Sequence, residues 1–280
     1  TLSLASFCRL FLAVILIPYL TVQTHAADRP NILWLSCEDI SPHLGCYGYP
    51  NATTPHLDDF ATQGTLYTHA FVTAGVCAPC RSAVITGMYQ TTLGTHHMRC
   101  KASLPDHIKP FPMFLREAGY YCTNNSKTDY QFTAPKDTWD ASSGKAHWKH
   151  RKDNQPFFSV FNFTGCHESG IANENKWKTV TKGLQLHDRD TVASSLPPYY
   201  PDTPLTRDDW GRYYDVITAM DRWFGEHLQA LDDAGLADDT IVIFWSDHGV
   251  GLPRAKRWLY DSGMRVPLIL RIPKKYRRGQ

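Results

Sequence analysis

Val76-Cys77-Ala78-Pro79-Cys80-Arg81-Ser82-Ala83-Val84-Ile85-Thr86-Gly87 brings a sulfur nucleophile, a second thiol and an arginine within one helical turn or so. Small residues, Thr73-Ala74-Gly75, precede it. Pro79 suits the start of a helix, which places Cys77 at the N-terminus. There, free N–H groups and the helix dipole favour negative charge. Arg81, four residues on, can reach back over the same spot. A sulfur side chain inside an anion-attracting pocket is a catalytic arrangement.

Two chemistries share this local pattern. Cys77-Ala-Pro-Cys80 resembles the Cys-x-x-Cys redox site of thioredoxin-like proteins. Cys77-x-Pro-x-Arg81, followed by Thr86-Gly87, resembles the sulfatase signature, in which the first Cys is oxidised to formylglycine. The motif alone leaves both open, so the elements around it decide.

Those elements alternate between strand and helix. Asn31–Ser36, Tyr120–Asn124, Pro156–Phe163 and Thr240–Ser246 are apolar runs of strand length. They read as buried parallel strands. Val266–Arg271 reads as a fifth, with Pro267 at its start or on an edge. Thr54 and Pro55 open a helix that Gly64 ends, and Phe111–Ala118 is a short helix closed by Gly119. Thr206 is expected to cap a long helix carrying Trp210, Tyr213, Tyr214, Ile217, Phe224 and Leu231 at helical spacing, with Gly235 as its stop. Lys136–Asn154 reads as surface, and 170–202 as a long loop. The expected fold is α/β, with a mainly parallel central sheet flanked by helices.

In such sheets ligands bind beyond the carboxyl ends of the strands. Each of the first four strands is followed by polar residues: Glu38 and Asp39, Lys127 and Asp129, His167, then Asp247 and His248. Four loops therefore deliver acids, a lysine and histidines to one sheet edge. The oxygen donors of Glu38, Asp39 and Asp247 suit a hard cation such as Ca²⁺ or Mg²⁺. The absence of a His-Glu-x-x-His pattern argues against a zinc protease site.

Taken together, these segments resemble the formylglycine sulfatases of the alkaline-phosphatase-like superfamily, and most closely the heparan N-sulfatase (sulfamidase)-like branch. The marks are Pro30-Asn31-Ile32 running into an acidic pair, Thr54-Pro55-His56-Leu57-Asp58, the Cys77 signature, Ser246-Asp247-His248-Gly249, and Leu259 to Pro267. The resemblance runs from Arg29 to about Pro273. It implies that Cys77 becomes formylglycine, whose hydrate attacks sulfur and displaces the alcohol or amine. It implies Glu38, Asp39, Asp247, His248 and the modified Cys77 as ligands of one Ca²⁺. Arg81 would hold the hydrate, and Lys127, His167 and Lys256 would contact the sulfate and the leaving group. Three positions depart from the family pattern. Glu38 replaces the first Asp of the acidic pair, Asp129 stands where many sulfatases have His, and Cys80 stands where Ser or Ala is usual. A Cys77–Cys80 disulfide would block conversion.

The expected substrate is a sulfated small molecule or glycan, and the expected partner is a formylglycine-generating or sulfatase-maturing enzyme. The alternatives are a phosphatase or phosphodiesterase of the same superfamily, or a silent binder of sulfated glycans. A net charge of +2 over 280 residues, with no basic stripe or zinc-finger spacing, implies no nucleic-acid partner. Arg9, the apolar run Leu10–Leu20 and Ala26-Ala27 read as a signal peptide over 1–27, too short for stable membrane insertion. Export to the periplasm or the extracellular space is expected. Eight cysteines leave seven after cleavage, an odd number that sets one apart for chemistry. Residues 28–280 then form the catalytic domain, and the smaller C-terminal domain usual in sulfatases is expected to be missing.

Overall fold

The computed structural model describes residues 29–277. The expected signal peptide lies outside them. Among the described residues there are nine strands: β1 (Asn31–Cys37), β2 (Thr65–Leu66), β3 (Ala70–Phe71), β4 (Tyr121–Asn125), β5 (Ala141–Ser142), β6 (Phe157–Phe163), β7 (Thr240–Ser246), β8 (Arg265–Val266) and β9 (Leu268–Arg271). Seven form one sheet in the order β2-β9-β7-β1-β6-β4-β5. The block from β7 to β5 is parallel throughout, while β9 runs antiparallel to β7 and β2 antiparallel to β9. The short β3 and β8 pair separately.

Both faces of the parallel block are covered, which is why its strands are apolar nearly throughout. Leu33 and Leu35 of β1, with Val242 and Phe244 of β7, face one way. They meet α1 (Pro55–Thr62) through Leu57 and Phe60, and the long helix described below. The alternate residues Ile32 and Trp34 join Phe158 and Val160 on the other face, under Phe111 and Leu115 of α3 (Phe111–Glu117). The nucleophile helix α2 (Cys77–Thr86) begins one residue after Val76 and ends at Gly87, whose φ of 67° supplies the left-handed C-cap.

Four expectations change. The 170–202 stretch is not loop throughout: it holds α4 (Glu168–Ala172), α5 (Glu174–Val180) and α6 (Arg189–Ala193). Each is capped by a side chain, from His167, Asn173 and Asp188 respectively, so local hydrogen bonds set them rather than an apolar period. The long helix α7 (Pro204–Asp233) is capped by Thr203, which accepts from Thr206 N; Thr206 already lies inside. Lys136–Asn154 is not all surface, because Trp148 is buried against Phe157, rings 5.4 Å apart and nearly parallel, and β5 extends the sheet. Pro267 falls between β8 and β9, and β9 is covered on its far side by β2, so this strand is neither parallel nor at the edge. A last short helix, α8 (Asp261–Met264), precedes β8.

Candidate active site

Strand order explains why distant residues meet. β7, β1, β6 and β4 are consecutive neighbours, and Cys37 pairs with both Ser246 and Phe163. The residues that follow these strands therefore leave the sheet side by side. Glu38 N donates to Phe163 O (3.2 Å), and Asp39 N donates to the Asp247 carboxylate (3.2 Å). Asp39 takes a positive φ of 55° to turn its side chain back into the cluster, a conformation that must be held by its surroundings.

The surroundings are well supplied. Lys256 Nζ lies 2.7 Å from Asp39 Oδ2, and Glu168 N donates to the same oxygen at 2.8 Å. His248 Nε2 is 3.1 Å from Asp39 Oδ1 and 3.6 Å from Asp247 Oδ1. Arg81, one turn along α2 from Cys77, donates through Nε to Asp247 Oδ2 and through Nη1 to Asn162 Oδ1, both at 3.1 Å. The Cys77 side chain is close enough to His248 to help raise its imidazole pKa. Lys127 pairs with Glu38 and lies 3.6 Å from Asp129. His167 Nε2 stands 3.3 Å from Lys256 Nζ. The structure thus brings together Cys77, Arg81, Lys127, His167, Lys256, Glu38, Asp39, Asp247 and His248. Among these, Glu38, Asp39, Arg81, Cys77, Asp247, His248 and Lys256 are buried.

Charges so deep must be paired, and the pKa directions show the pairing. Burial pushes the Asp39 carboxyl up, but the close approach and charge of His248, then Lys256 and His167, hold it well below the usual range. Burial pulls the His248 imidazole down, yet the Asp247 charge, with Asp39 and Cys77, raises it to about 10. Lys127 is raised because Glu38 outweighs burial. His167 is lowered by burial, with Lys256 adding to the effect against Asp39. Ser169 N donates to His167 Nδ1 at 3.2 Å, which orients the ring with Nε2 toward Lys256 and the cluster.

A hard divalent cation fits this donor set. Asp39 Oδ1, though fully buried, accepts no hydrogen bond, and His248 Nε2 makes none despite facing it. The other oxygen of Asp39 is already saturated. Two sets of ligand atoms converge here, one from Glu38, Asp39 and His167 and one from Asp39, Asp247 and His248.

Three contributors escape the sequence reading. Glu168 grips Arg257 with both oxygens, at 3.0 Å each, and lies 3.4 Å from Lys256. Arg257 N donates to Gly75 O (2.7 Å), tying this loop to the stretch before Cys77. Asn162, on β6, bridges Arg81, Ser36 and Asn124. A polar residue inside an otherwise apolar strand was the available signal. Gly251 matters by its size: a Cβ there would lie 2.7 Å from Asp39 Oδ2. Cys80 is buried beneath the site with its thiol pushed up by burial, and all seven cysteines of the described residues are free thiols.

A sequence model of the sulfatase family matches residues 30–280. The chain belongs to the sulfatase family. It is 41% identical to an ulvan-active sulfatase of Formosa agariphila over 89% of this chain and 48% of that protein. It is 27% identical to human N-sulphoglucosamine sulphohydrolase over 89% of this chain and 57% of that protein. The chain thus spans about half the length of these sulfatase relatives. Its fold is similar to that of a protein solved in complex with its substrate D-glucosamine-2-N,6-O-disulfate, with a TM-score of 0.67 and 19% identity, covering 88% of this chain and 72% of that one. The family match explains why the two-cysteine pattern at position 77 sits beside an acidic cluster and not in a thioredoxin-like setting. No helix among the described residues is long and apolar enough to cross a membrane.

Proposed function

We propose that the protein hydrolyses sulfate esters or N-sulfates of sulfated glycans, using formylglycine made from Cys77 and one Ca²⁺. The observation that carries this reading is the convergence of Arg81, Lys127, Lys256 and His167 with three buried carboxylates around the N-terminus of α2. A formylglycine at position 77 would supply a hydrated aldehyde as nucleophile. Glu38, Asp39, Asp247 and His248, with the position-77 oxygen, would hold the cation, whose chemistry is Lewis-acid polarisation of a sulfate oxygen.

The side chains then divide the work. Arg81 is fixed by Asp247 and Asn162, and its buried Nη2 makes no hydrogen bond, so it has a donor left to orient the group at position 77. Lys127 and Lys256 place two positive charges where a sulfate gains negative charge in the transition state. Each is held by a carboxylate, so little reorganisation is needed as the reaction proceeds. His167 turns its Nε2 toward the cluster beside Lys256, where it would meet the leaving oxygen or nitrogen. Asp129, two residues beyond Lys127, pairs with Arg99 at 3.0 Å and is assigned no proton transfer.

The ulvan-active and N-sulphoglucosamine relatives favour a sulfated glycan over a small aryl sulfate, and the latter supports the sulfamidase-like branch. Export, with residues 1–27 as a cleaved signal and 28–280 as catalytic domain, fits extracellular glycan substrates. Maturation requires a formylglycine-generating or sulfatase-maturing enzyme. The test is mass spectrometry of the Cys77 tryptic peptide after co-expression with such an enzyme, together with sulfate release from heparan, chondroitin, fucan, ulvan and aryl sulfates. Formylglycine in the peptide and release from a glycan are expected. Active protein carrying an unmodified or disulfide-bonded Cys77 would refute the mechanism, and release of phosphate in preference to sulfate would refute the reaction.

A further inference from the structure

Beside the catalytic cluster lies a cavity of about 410 Å³, in the size range of small-molecule sites. Its lining mixes tyrosine rings with charged side chains, unlike the apolar cleft between Trp34, Phe71, Met88 and Trp245. Arg254 sits over the rings of both Tyr199 and Tyr260, 4.7 Å from each centroid. Both tyrosines are close to half exposed (40% and 47%). Arg254 is itself exposed, takes a positive φ of 63°, and has no ion-pair partner among the described residues. A second cation, Arg265, lines the same cavity and is held by the Thr68 carbonyl through Nε and Nη2 (3.0 and 2.7 Å). Tyr49 adds a third ring, and Asp261 is the acid at the rim. The balance is two cations against one acid, with aromatic faces between them.

The cavity and the catalytic cations share one loop. Lys256 follows Arg254 by two residues, and two residues span at most about 7 Å. The two side chains point apart: Lys256 is buried on Asp39, while Arg254 faces the cavity. Ser41, two residues after Asp39, lines the cavity and donates to Ser262 O (2.8 Å) while accepting from Val250 N (3.1 Å). Tyr200 OH donates to Pro253 O, which docks the Tyr199 segment on the same loop. The wall is therefore fixed from two sides and shares its backbone with the catalytic floor.

We propose that this cavity is a subsite for the sugar next to the one that carries the scissile sulfate, and that it selects an anionic neighbour, carboxylate or sulfate. This rests on the glycan-sulfatase reading above. A pyranose presents an apolar face of C–H groups that stacks on a tyrosine ring. Its charged substituent would meet a guanidinium that the two rings hold in place and that no carboxylate neutralises. Arg suits both anions because its planar fork pairs bidentately with either.

The test is calorimetric binding to the full chain, with Cys77 left unmodified so that turnover does not intrude. The ligands are a sulfated disaccharide bearing a neighbouring uronate, the same disaccharide with its carboxyl reduced to the alcohol, and one carrying a sulfate on the reduced neighbour. The wild-type chain is expected to bind both anionic forms at least about tenfold more tightly than the neutral one, the size of a single charge-assisted contact. In Arg254→Gln that ratio should fall to near one. Because the ratio is internal to each variant, general damage to the fold cancels, and Tyr199→Phe, which keeps the ring, should retain it. Preference for the uronate form alone, or the sulfated form alone, identifies which anion the subsite takes. A wild-type ratio near one, or an unchanged ratio in Arg254→Gln, overturns the subsite. Sulfate release from the matured enzyme is read separately. If release persists without discrimination, the subsite fails and the catalytic reading stands. If discrimination persists without release from any ester or N-sulfate, the catalytic reading fails.

Discussion

Replacing Gly251 by alanine should disable the site from a position that carries no chemistry. A Cβ at residue 251 would stand 2.7 Å from Asp39 Oδ2 and 2.7 Å from Glu168 Cβ, against an ordinary contact of 3.4 Å or more. Asp39 cannot yield cheaply. That oxygen takes Lys256 Nζ at 2.7 Å and Glu168 N at 2.8 Å. Moving it far enough to relieve the clash stretches both bonds beyond useful length. Each bond involves a charge and is worth about 1.5–3 kcal/mol, so losing much of both costs about 3 kcal/mol. Moving Glu168 instead disturbs its paired bonds to Arg257. For a domain of this size, about 3 kcal/mol lowers the melting temperature by about 6–12 °C. Sulfate release should fall further than stability, because Asp39 is also a proposed cation ligand and displacing such groups costs roughly 10–100-fold. The assay is thermal unfolding and sulfate release, with Gly144→Ala as control, since a Cβ at Gly144 meets nothing within 4 Å. A Gly251→Ala protein that melts within 2 °C of the wild type, by about the error of such scans, and keeps its activity would show that the packing against Asp39 is slack.

Three further outcomes follow from the same structure. Ca²⁺ at about 100 times its dissociation constant should stabilise the chain by about 2.7 kcal/mol, an effect measured as a melting shift that chelator reverses and that Asp39→Asn or Asp247→Asn abolishes; an equal shift in those variants would place the ion elsewhere. Lys127→Met leaves Glu38 buried without its partner and should cost about 3–5 kcal/mol in urea unfolding, with Glu38→Gln added to it recovering part of the loss; no recovery would mean the pair is not coupled. Burial pulls the imidazoles of His43 and His147 down to about 3 and about 4, with Arg265 and Lys149 adding to it. The unfolded chain therefore takes these protons first, so stability is full above about pH 6.5 and drains as pH falls toward 4. Asp221, raised to about 6 by burial, works in the opposite direction, its cost easing below that pH. His43→Gln should flatten the acid limb of the urea midpoint against pH, and an unchanged limb would count against a neutral buried His43.

The parallel strands were legible because burial on both faces forces an unbroken apolar run, and the polar residues after each run could then be assigned to one edge. Glu38, Asp39, Lys127, His167, Asp247 and His248 follow from that rule alone. Which strands are neighbours is not in the pattern: β1 lies between β6 and β7, both more than a hundred residues further along the chain. What stayed hidden has a common cause. The three short helices between β6 and α7 are fixed by single capping side chains, and capping leaves no period to read. Trp148 sits in a polar stretch, and its burial depends on Phe157 arriving from the next strand. Glu168 follows the same strand as His167 but acts through its backbone contact with Asp39 and its grip on Arg257, and Gly251 acts through its closeness to Asp39; neither contact across the fold is written in the sequence.

The identity of each charge in this site is less informative than its partner. Asp39 holds Lys256, Asp247 holds Arg81, and Glu38 holds Lys127, three acid–base pairs delivered from the ends of β7, β1 and β4 and from one helix. A buried cation without its acid would be costly and would tend to lose its proton, and a buried acid without its cation would tend to gain one. Pairing lets six ionisable side chains share one largely buried site. In the proposed reading the acids face the cation and the bases face the sulfate, so the same pairs that let the cluster be buried would also separate the two kinds of ligand. That division explains the substitution of Glu38 for the shorter acid at this position. Its partner Lys127 comes from β4, two strands away from β1, and the added methylene carries the carboxylate toward that side of the site.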